Sequence, residues 1–263
     1  MLVLEKGIYL GTVLDAAGDE GFRIGRVSYQ ADGSCDDMHC HENPHISFVL
    51  TGGNVEKRKH IEFERLPGKV TFYHSGEAHQ NIHKAGDSRH INIEICTSYL
   101  GNNLLDAEKI NKACQAEPDI KFLILKMYKE LLIDDDYSGT SIRLLMLEML
   151  SASKHLSSTR PVWINKVQQV LNDRWNEAPT LRDLSAAAGV HPITISKHFR
   201  KYFNCTLGEY MRKLRINNSI ALVQSTGTSL TDVAYECGFA DQSHFTRTFK
   251  QMTSFLPKQY QRL

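Results

Sequence analysis

Histidine is concentrated in one part of this 263-residue chain, where eight of its 12 histidines fall between His39 and His90. Neutral imidazole is a common ligand for divalent transition metals, and the side chain titrates near neutral pH. In a β-strand, alternate side chains point to the same face, so His39 and His41 would lie together and His45 keeps the same parity. The pattern indicates a metal site, a pH-responsive group or ordinary hydrogen-bonded histidines.

Strands are the elements that must position these side chains. From residue 22 to about 97, short β-rich runs alternate with turn sequences. We predict strands at 22–29, 45–50, 70–73 and 90–96. Such regular spacing is typical of a β-sandwich or a small barrel.

The spacing of the histidines also resembles the two signatures of the cupin barrel. The residues that carry the resemblance are Gly33, His39, His41, His45 and Gly52 in the first signature, and Gly68, His74, His79 and His83 in the second. Three of them depart from the cupin pattern: His45 replaces Glu, His74 replaces Pro and His83 replaces Asn. The resemblance implies a barrel with four imidazoles around one divalent transition metal, namely His39, His41, His45 and His79.

After Gly101 the amino-acid composition becomes typical of helices. We predict helices at 119–133 and 140–156, both apolar on more than one face. Such a surface is covered either by the barrel on one side and a second subunit or the next domain on the other, or by deep burial of the whole helix. We also expect a homodimer. The small, polar segment closed by Pro161 predicts a linker. The expected organisation is a barrel at 1–100, a helical dimerisation or interdomain segment at 101–156, a linker at 157–161 and a helical domain at 162–263.

The net charge of +1 conceals an asymmetry between the two halves. Up to Arg160 there are 18 Lys and Arg against 23 Asp and Glu, and after it there are 13 against 7, which gives −5 and +6. Because clustered cations neutralise phosphates and release counterions, the second half is the one expected to meet a polyanion.

The basic half contains two similar helix pairs. In the first, Thr180 and Asp183 form a capping box, a short helix ends at Gly189, and a second helix opens at Pro192. About fifty residues later the pattern returns, with a capping box at 229–232, a glycine at 238 and a helix at 241–252. A long helix from the Thr206 cap to Gln224 separates the pairs, which is the arrangement of two helix-turn-helix units.

Residues 180–263 resemble the DNA-binding domain of AraC/XylS-type transcription regulators. The stretches that match are 181–190, 210–215 and 232–250, followed by Pro257 and Tyr260. The departures are His191 at an N-cap, Asn204 and Ser254 in place of turn glycines, and Leu256 in place of a capping hydroxyl. The resemblance implies contacts to base edges from Ile193, Ser196, Lys197, Gln242, Ser243, His244, Thr246 and Arg247, and contacts to phosphates from Thr194, Arg200, Lys201 and Lys250.

The complete fold prediction is α+β with two domains: a cupin-like β-barrel with flanking helices, and an all-α domain of two helix-turn-helix units joined by a long helix. The resemblance implies a bacterial-type transcription regulator whose barrel senses a signal. Sensor domains of this family often keep the barrel and lose the metal ligands, so a metal ion, a small organic effector and a purely structural or dimerising barrel remain open. Cys35 and Cys40 flank the cluster, either as additional soft ligands or as inert thiols.

The alternative function is a metal-dependent cupin enzyme fused to a DNA-binding domain. We find no acid–base pair or nucleophile constellation, so we predict a regulator and not an enzyme. Its expected partners are double-stranded promoter DNA, RNA polymerase and a metal or small-molecule effector. The sequence contains no uninterrupted run of 18 apolar residues that could span a bilayer, and its start does not resemble a signal sequence. The six cysteines are scattered without paired spacing, as in proteins of reducing compartments. We therefore expect a cytoplasmic protein without membrane contact.

Overall fold

The computed structural model describes residues 1–30, 36–83, 87–116, 118–154, 160–225 and 227–263. Gly33 and Cys35 of the predicted histidine site lie outside the described residues, as do residues 157–159 of the predicted linker. The chain divides into two compact units, Met1–Leu156 with Arg262–Leu263, and Ser157–Gln261. Strands and helices make up the first unit and helices alone the second, so the α+β prediction is confirmed at this level.

The strands of the N-terminal unit belong to three sheets. They are β1 Leu2–Leu4, β2 Thr12–Gly18, β3 Phe22–Tyr29, β4 His39–His41, β5 His45–Thr51, β6 Asn54–Arg58, β7 Ile61–Arg65, β8 Val70–Tyr73, β9 Gln80–Ile82 and β10 Ser88–Ile95. The largest sheet is antiparallel with the order β2-β3-β10-β5-β8, a second has the order β7-β6-β9, and β1 pairs in parallel with β4. The described strands therefore form separate sheets and no single closed barrel.

The large sheet is held by apolar side chains that are wholly buried. Ile24 of β3, Ile46 and Phe48 of β5, and Ile91 and Ile93 of β10 are all 0% exposed. Each such side chain contributes about 1.5–3 kcal/mol of hydrophobic stabilisation. This rigid sheet carries His45, His90 and Asn92, and its neighbours β4 and β9 carry or border the remaining histidines of the site.

Four helices follow the sheets in the N-terminal unit. They are α1 Thr97–Asn102, α2 Ala107–Ala116, α3 Asp119–Ile133 and α4 Ser138–Lys154. Helix α3 packs against α4 and against β2 and β3. Helix α4 is apolar on two sides, since Met146 is fully buried whereas Leu144 and Leu147 are 62% and 46% exposed. The predicted helix at 119–133 is confirmed, and the one predicted from 140 begins two residues earlier.

The C-terminal unit is a series of helices arranged around one long helix. They are α5 Val162–Asp173, α6 Leu181–Ala188, α7 Pro192–Phe203, α8 Leu207–Gln224, α9 Leu230–Glu236, α10 Gln242–Thr253 and α11 Pro257–Tyr260. Helix α8 contacts α7 on one side and α9 and α10 on the other. The two predicted helix pairs therefore pack onto the predicted long helix. In the described part of the chain, no helix is long and apolar enough to cross a lipid bilayer.

The five cysteines in the described residues are free and buried. Burial raises the pKa of the Cys114 and Cys237 thiols to about 12. Because the thiolate is the reactive form, these two residues behave as small apolar core residues. Cys40 is also buried, on β4 between two of the predicted metal ligands.

Candidate nucleic-acid interface and histidine cavity

Side-chain caps fix where the helices of each helix-turn-helix unit begin. The Thr180 hydroxyl accepts the Asp183 amide, and the Asp183 carboxylate accepts the Thr180 amide. The Ser229 hydroxyl likewise accepts the Asp232 amide, at 3.1 Å. Each cap contributes roughly 1 kcal/mol to its helix. The second helix of each unit is capped too, by His191 Nδ1 in α7 and by the Asp241 carboxylate in α10.

Residues with a left-handed backbone conformation end the helices at the positions where the sequence predicted turns. Gly189 has φ +69° and Gly238 has φ +74°. Asn204 and Ser254 take the same conformation at φ +54° and +64°, so these two replacements of family glycines keep the turn geometry. A methyl group added at Gly238 would overlap the carbonyl oxygen of Asn176, which means that the backbone between α9 and α10 packs directly against the segment before α6.

Each predicted recognition helix has one apolar and one polar face. In α7, Ile195 and Phe199 are at most 3% exposed, and in α10, Phe245 and Phe249 are fully buried. The side chains predicted to contact DNA all lie on the opposite, exposed or half-buried faces: Ile193, Thr194, Ser196, Lys197, Arg200 and Lys201 in α7, and Gln242, Ser243, His244, Thr246, Arg247 and Lys250 in α10. Ile193, which by sequence was equally suited to the core, is 67% exposed.

The polar faces carry the chemistry of base and phosphate recognition. Lys197 and Arg247 are exposed cations that suit guanine O6 and N7, and glutamine suits adenine. The Gln242 side-chain oxygen accepts a hydrogen bond from the Thr231 hydroxyl at 2.8 Å, which orients the amide from the preceding helix. Lys201 lies 5.5 Å from the centre of the Tyr202 ring. The two faces can therefore read bases and neutralise phosphates.

Three of the four predicted metal ligands converge in the N-terminal unit. The ligand atoms of His39, His41 and His79 all lie within 4.8 Å of one another, and all three residues are buried. The backbone joins the strands that carry them, because the His39 amide donates to the His79 carbonyl at 3.0 Å and the His79 amide donates back at 2.9 Å. Three histidines arranged in this way could supply three of the ligands of a divalent metal ion.

Hydrogen bonds to the backbone set the orientation of two of these imidazoles. His39 Nδ1 lies 2.8 Å from the Asp37 carbonyl oxygen, and His79 Nδ1 lies 3.0 Å from that of Glu77. A carbonyl accepts only, so each Nδ1 carries the proton and each Nε2 keeps its lone pair for a metal. Burial lowers the pKa of His41 and of His79 to about 3, which keeps these rings in the neutral, ligating form.

His45 stands outside this group of three. Its ring stacks on Tyr73 at 4.3 Å between ring centres and lies 6.2 Å from the His79 ring, although it is 4.2 Å from the His41 ring. The strand parity placed it correctly on the same side, but β5 begins after a turn and brings it against Tyr73. Of the other cupin-signature histidines, His74 is half-buried on a loop, and His83 stacks on Tyr29.

The histidines line a small polar cavity. Its volume, taken as the space open to the centre of a water molecule, is about 20 Å³. The remaining lining residues are Tyr9, Leu10, Tyr29, Asp36, Ser47, Arg65, Tyr73, Asn81, His90 and Asn92. A volume of roughly 10–15 Å³ holds one water, so this cavity accommodates an ion with one or two waters.

Several residues of the cavity were missed by sequence reasoning. Arg65 lines the cavity and is 1% exposed. Glu56 does not line it, but it is 0% exposed and accepts from the hydroxyl of the lining residue Tyr73 at 2.5 Å. Tyr9 covers the cluster, with its ring 5.6 Å from that of His41. Polar residues on short strands read as solvent-facing in a sequence, and only the sheet arrangement reveals that these face inward.

His90 gives the N-terminal unit a predicted pH dependence. Burial lowers its pKa well below 6.5. Below pH 6.5 the unfolded chain takes up a proton that the folded chain does not, so the free energy of unfolding falls with decreasing pH, by up to about 1.4 kcal/mol per pH unit. We expect His90→Gln to flatten this slope in chemical denaturation of chelator-treated protein. The exposed His60→Gln should keep the wild-type slope, and an unchanged slope in His90→Gln would contradict the assignment.

Comparison with known proteins agrees with the geometry of the C-terminal unit. A family described as a helix-turn-helix domain matches residues 184–263. The uncharacterized HTH-type transcriptional regulator YdeC of Bacillus subtilis (strain 168) is 23% identical, over 86% of this chain and 86% of that protein. The HTH-type transcriptional activator RhaS of Enterobacter sp. (strain 638) is 25% identical, over 46% of this chain and 43% of that protein. A solved AraC-type regulator from Chromobacterium violaceum is 21% identical over 38% of this chain and 89% of that chain, with a TM-score of 0.36.

Two capped helix pairs with exposed basic faces, mounted on one long helix, define a double helix-turn-helix DNA-binding domain. With the helix-turn-helix match over residues 184–263 and the regulators that share its sequence, the chain is similar to HTH-type transcription regulators.

Proposed function

We propose that this regulator senses a divalent transition metal in its N-terminal unit and reads promoter DNA with both helix-turn-helix units. The observation that carries the sensing role is the convergence of His39, His41 and His79 within 4.8 Å. We regard residues 1–100 as a cupin-like sensor, 101–156 as the helical dimerisation or interdomain segment, 157–161 as the linker and 162–263 as the DNA-binding domain.

The side chains present fit a metal ion. Three buried neutral imidazoles supply nitrogen ligands, and two of them have their second nitrogen engaged by backbone carbonyls. When bound, the ion supplies a double positive charge and ties β4 to the segment that leads into β9. His45 lies outside the group of three whose ligand atoms are within 4.8 Å of one another, so we assign it to the wall of the site.

The small cavity favours an ion over an organic effector. A space of about 20 Å³ holds an ion with one or two waters, whereas ligand pockets for organic molecules usually enclose roughly 300–1,000 Å³. The alternative of a metal-dependent enzyme receives less support, because the chain's relatives of described function are transcription regulators.

Base edges would be read by Ile193, Ser196 and Lys197 of α7, and by Gln242, Ser243, His244, Thr246 and Arg247 of α10. Phosphates would be contacted by Thr194, Arg200, Lys201 and Lys250. Exposure of all these side chains on the polar helix faces supports the assignment. Ile193 suits a thymine methyl group, which explains an exposed apolar residue at this position.

The signal would pass through the helical segment of the N-terminal unit. Exposed Leu144 and Leu147 on α4 are suited to a second copy of the chain, so we propose a homodimer whose geometry depends on the metal. RNA polymerase is the expected further partner at the promoter. The metal can shift the dimer between its two arrangements only by as much as its affinity differs between them.

Metal analysis of the purified protein tests the sensing role. We expect about one equivalent of divalent transition metal per chain, and a loss of at least tenfold in metal affinity for His39→Ala and His79→Ala, because each removes a ligand. The exposed His60→Ala variant should bind as the wild type does. Wild-type protein that stays metal-free after incubation with Zn²⁺, Co²⁺ or Ni²⁺ would contradict the proposal.

A further inference from the structure

A hydrogen bond between side chains joins the two helices of the second helix-turn-helix unit. Thr231 is the second residue of α9, and Gln242 is the first residue of α10. The Thr231 hydroxyl donates to Gln242 Oε1 at 2.8 Å, and both residues are exposed. A residue outside both recognition helices thus supports a side chain for which a base contact is proposed.

The backbone on both sides of this hydrogen bond is held in place by other contacts. Ser229 caps the start of α9 and Asp241 caps the start of α10, each by accepting a backbone amide of the first turn. The two helices pack against each other, and Val233 of α9 and Phe245 of α10 are 0% exposed. The caps and the core therefore set the distance between the two helix starts, and the side-chain hydrogen bond joins two fixed points of the backbone.

The two partners differ in how freely their side chains rotate. Threonine is β-branched and stiff at χ1, whereas glutamine has three side-chain torsions and a large rotamer entropy. The hydrogen bond therefore restricts Gln242 much more than it restricts Thr231. Ordering a flexible side chain before binding lowers the entropic cost of the contact that it then makes.

The hydrogen bond leaves the Gln242 amide able to recognise adenine. A carbonyl oxygen has two lone pairs, so Oε1 can accept one further hydrogen bond, and the Thr231 hydroxyl uses neither of the two Nε2 donors. Adenine offers a donor at N6 and an acceptor at N7 to such an amide. Rotation of a free amide exchanges its oxygen and nitrogen and lets it meet other donor–acceptor patterns, whereas an amide held in one orientation discriminates between them.

We propose that Thr231 is a specificity-determining residue, which acts on base recognition by holding the Gln242 amide. This inference rests on the proposed contact between Gln242 and a base edge. Loss of the hydroxyl is expected to reduce the preference for one base pair, the one that Gln242 reads. A threonine that contacted a phosphate would instead contribute equally to the binding of all sequences.

Thr231→Val tests this role, because it replaces the hydroxyl by a methyl group and the two residues have similar helix propensities. The measurement is fluorescence anisotropy of the full-length protein at constant salt, on a duplex that the wild type selects from a random pool and on the same duplex with each base pair varied. At the base pair where Gln242→Ala loses preference, Thr231→Val should reduce the preference about 2- to 10-fold, which corresponds to one hydrogen bond.

Two further variants serve as controls. Thr231→Ser keeps the hydroxyl and should keep most of the preference. Thr228→Val removes a neighbouring hydroxyl, which contacts Ser225 before α9, and should keep the wild-type preference. Circular dichroism establishes that each variant is folded, and Thr231→Ala provides the same test if the valine variant does not fold.

A double-mutant cycle shows whether Thr231 acts through Gln242. In the Gln242→Ala background, Thr231→Val should leave the base preference unchanged, because the amide that the hydroxyl holds is gone. Unchanged preference in Thr231→Val alone, uniform weakening on every sequence, or a loss of preference that persists in the Gln242→Ala background would each overturn this inference alone. If Gln242→Ala itself keeps the wild-type preference at every base pair, the proposed base contact fails together with the inference.

Discussion

Arg247→Ala is expected to weaken specific DNA binding by about 1–3 kcal/mol and to relax the preference for one base pair. Arg247 is exposed on the polar face of α10, and the opposite face is fixed in the core by Phe245 and Phe249. The measurement is fluorescence anisotropy on duplexes that the wild-type protein selects from a random pool, with each position of the selected site then varied. Salt concentration must be held constant, because phosphate contacts make affinity steeply salt-dependent.

Two controls separate base recognition from general charge. Lys250→Ala, at a proposed phosphate contact, should weaken binding to all sequences uniformly and reduce the salt slope by about one. Lys166→Ala removes an exposed cation of α5, outside the two recognition helices, and should leave specific binding unchanged. If Arg247→Ala binds with wild-type affinity and specificity, α10 does not read DNA in the proposed way.

Gly238→Ala is expected to destabilise the C-terminal unit by about 3 kcal/mol or more. The left-handed backbone alone costs an alanine about 1–2 kcal/mol, and the new methyl group would overlap the Asn176 carbonyl oxygen, a backbone atom that cannot move independently. The Asn176 side chain also donates to the Glu236 carbonyl, so the overlap falls where the second helix pair packs against the first. Chemical denaturation followed by tryptophan fluorescence measures the loss, since both tryptophans of the chain, Trp163 and Trp175, lie in this unit.

Gly189→Ala provides the matched comparison. Its φ of +69° is close to that of Gly238, but an added methyl group meets nothing within 4 Å. Only the cost of the left-handed backbone conformation applies, so we expect the free energy of unfolding to fall by about 1–2 kcal/mol. Equal losses in the two variants would show that the contact with Asn176 contributes nothing to stability.

The elements with strong local signals could be predicted from the sequence. The strand Phe22–Tyr29 is a β-rich run in the sequence, and its bounds were predicted correctly. The helix Leu207–Gln224 was also predicted, because the Thr206–Glu209 capping box marks its start. Local hydrogen bonds determine these boundaries, so a single sequence contains the necessary information.

Elements defined by distant partners could not be predicted. The strands β4 and β9 have three residues each, too few to show a period, and they form because other strands lie beside them. The same reason explains the sheet order, and why three histidines group while His45 stacks on Tyr73. Tyr235 of α9 is 60% exposed, since Val233, Ala234 and Cys237 occupy the buried face of this segment.

The histidines of the cavity could be predicted from the sequence, whereas the buried charged residues near them could not. Strand parity and signature spacing led to His39, His41 and His79, because ligand spacing is visible in a sequence. Arg65 and Glu56 carry no such spacing and read as surface charges on a β-hairpin. Their burial follows from how the hairpin folds over the large sheet, which is a tertiary property.

In the proposed mode of binding, the two recognition helices enter successive major grooves of one DNA site. Methylation-interference footprinting of the full-length protein on a selected duplex tests it most directly. We expect two guanine-interference patches in the major groove, centred about 10–10.5 base pairs apart, with the patch of α7 lost in Lys197→Ala and the patch of α10 lost in Arg247→Ala. A single patch, or two patches that both variants leave intact, would contradict the claim.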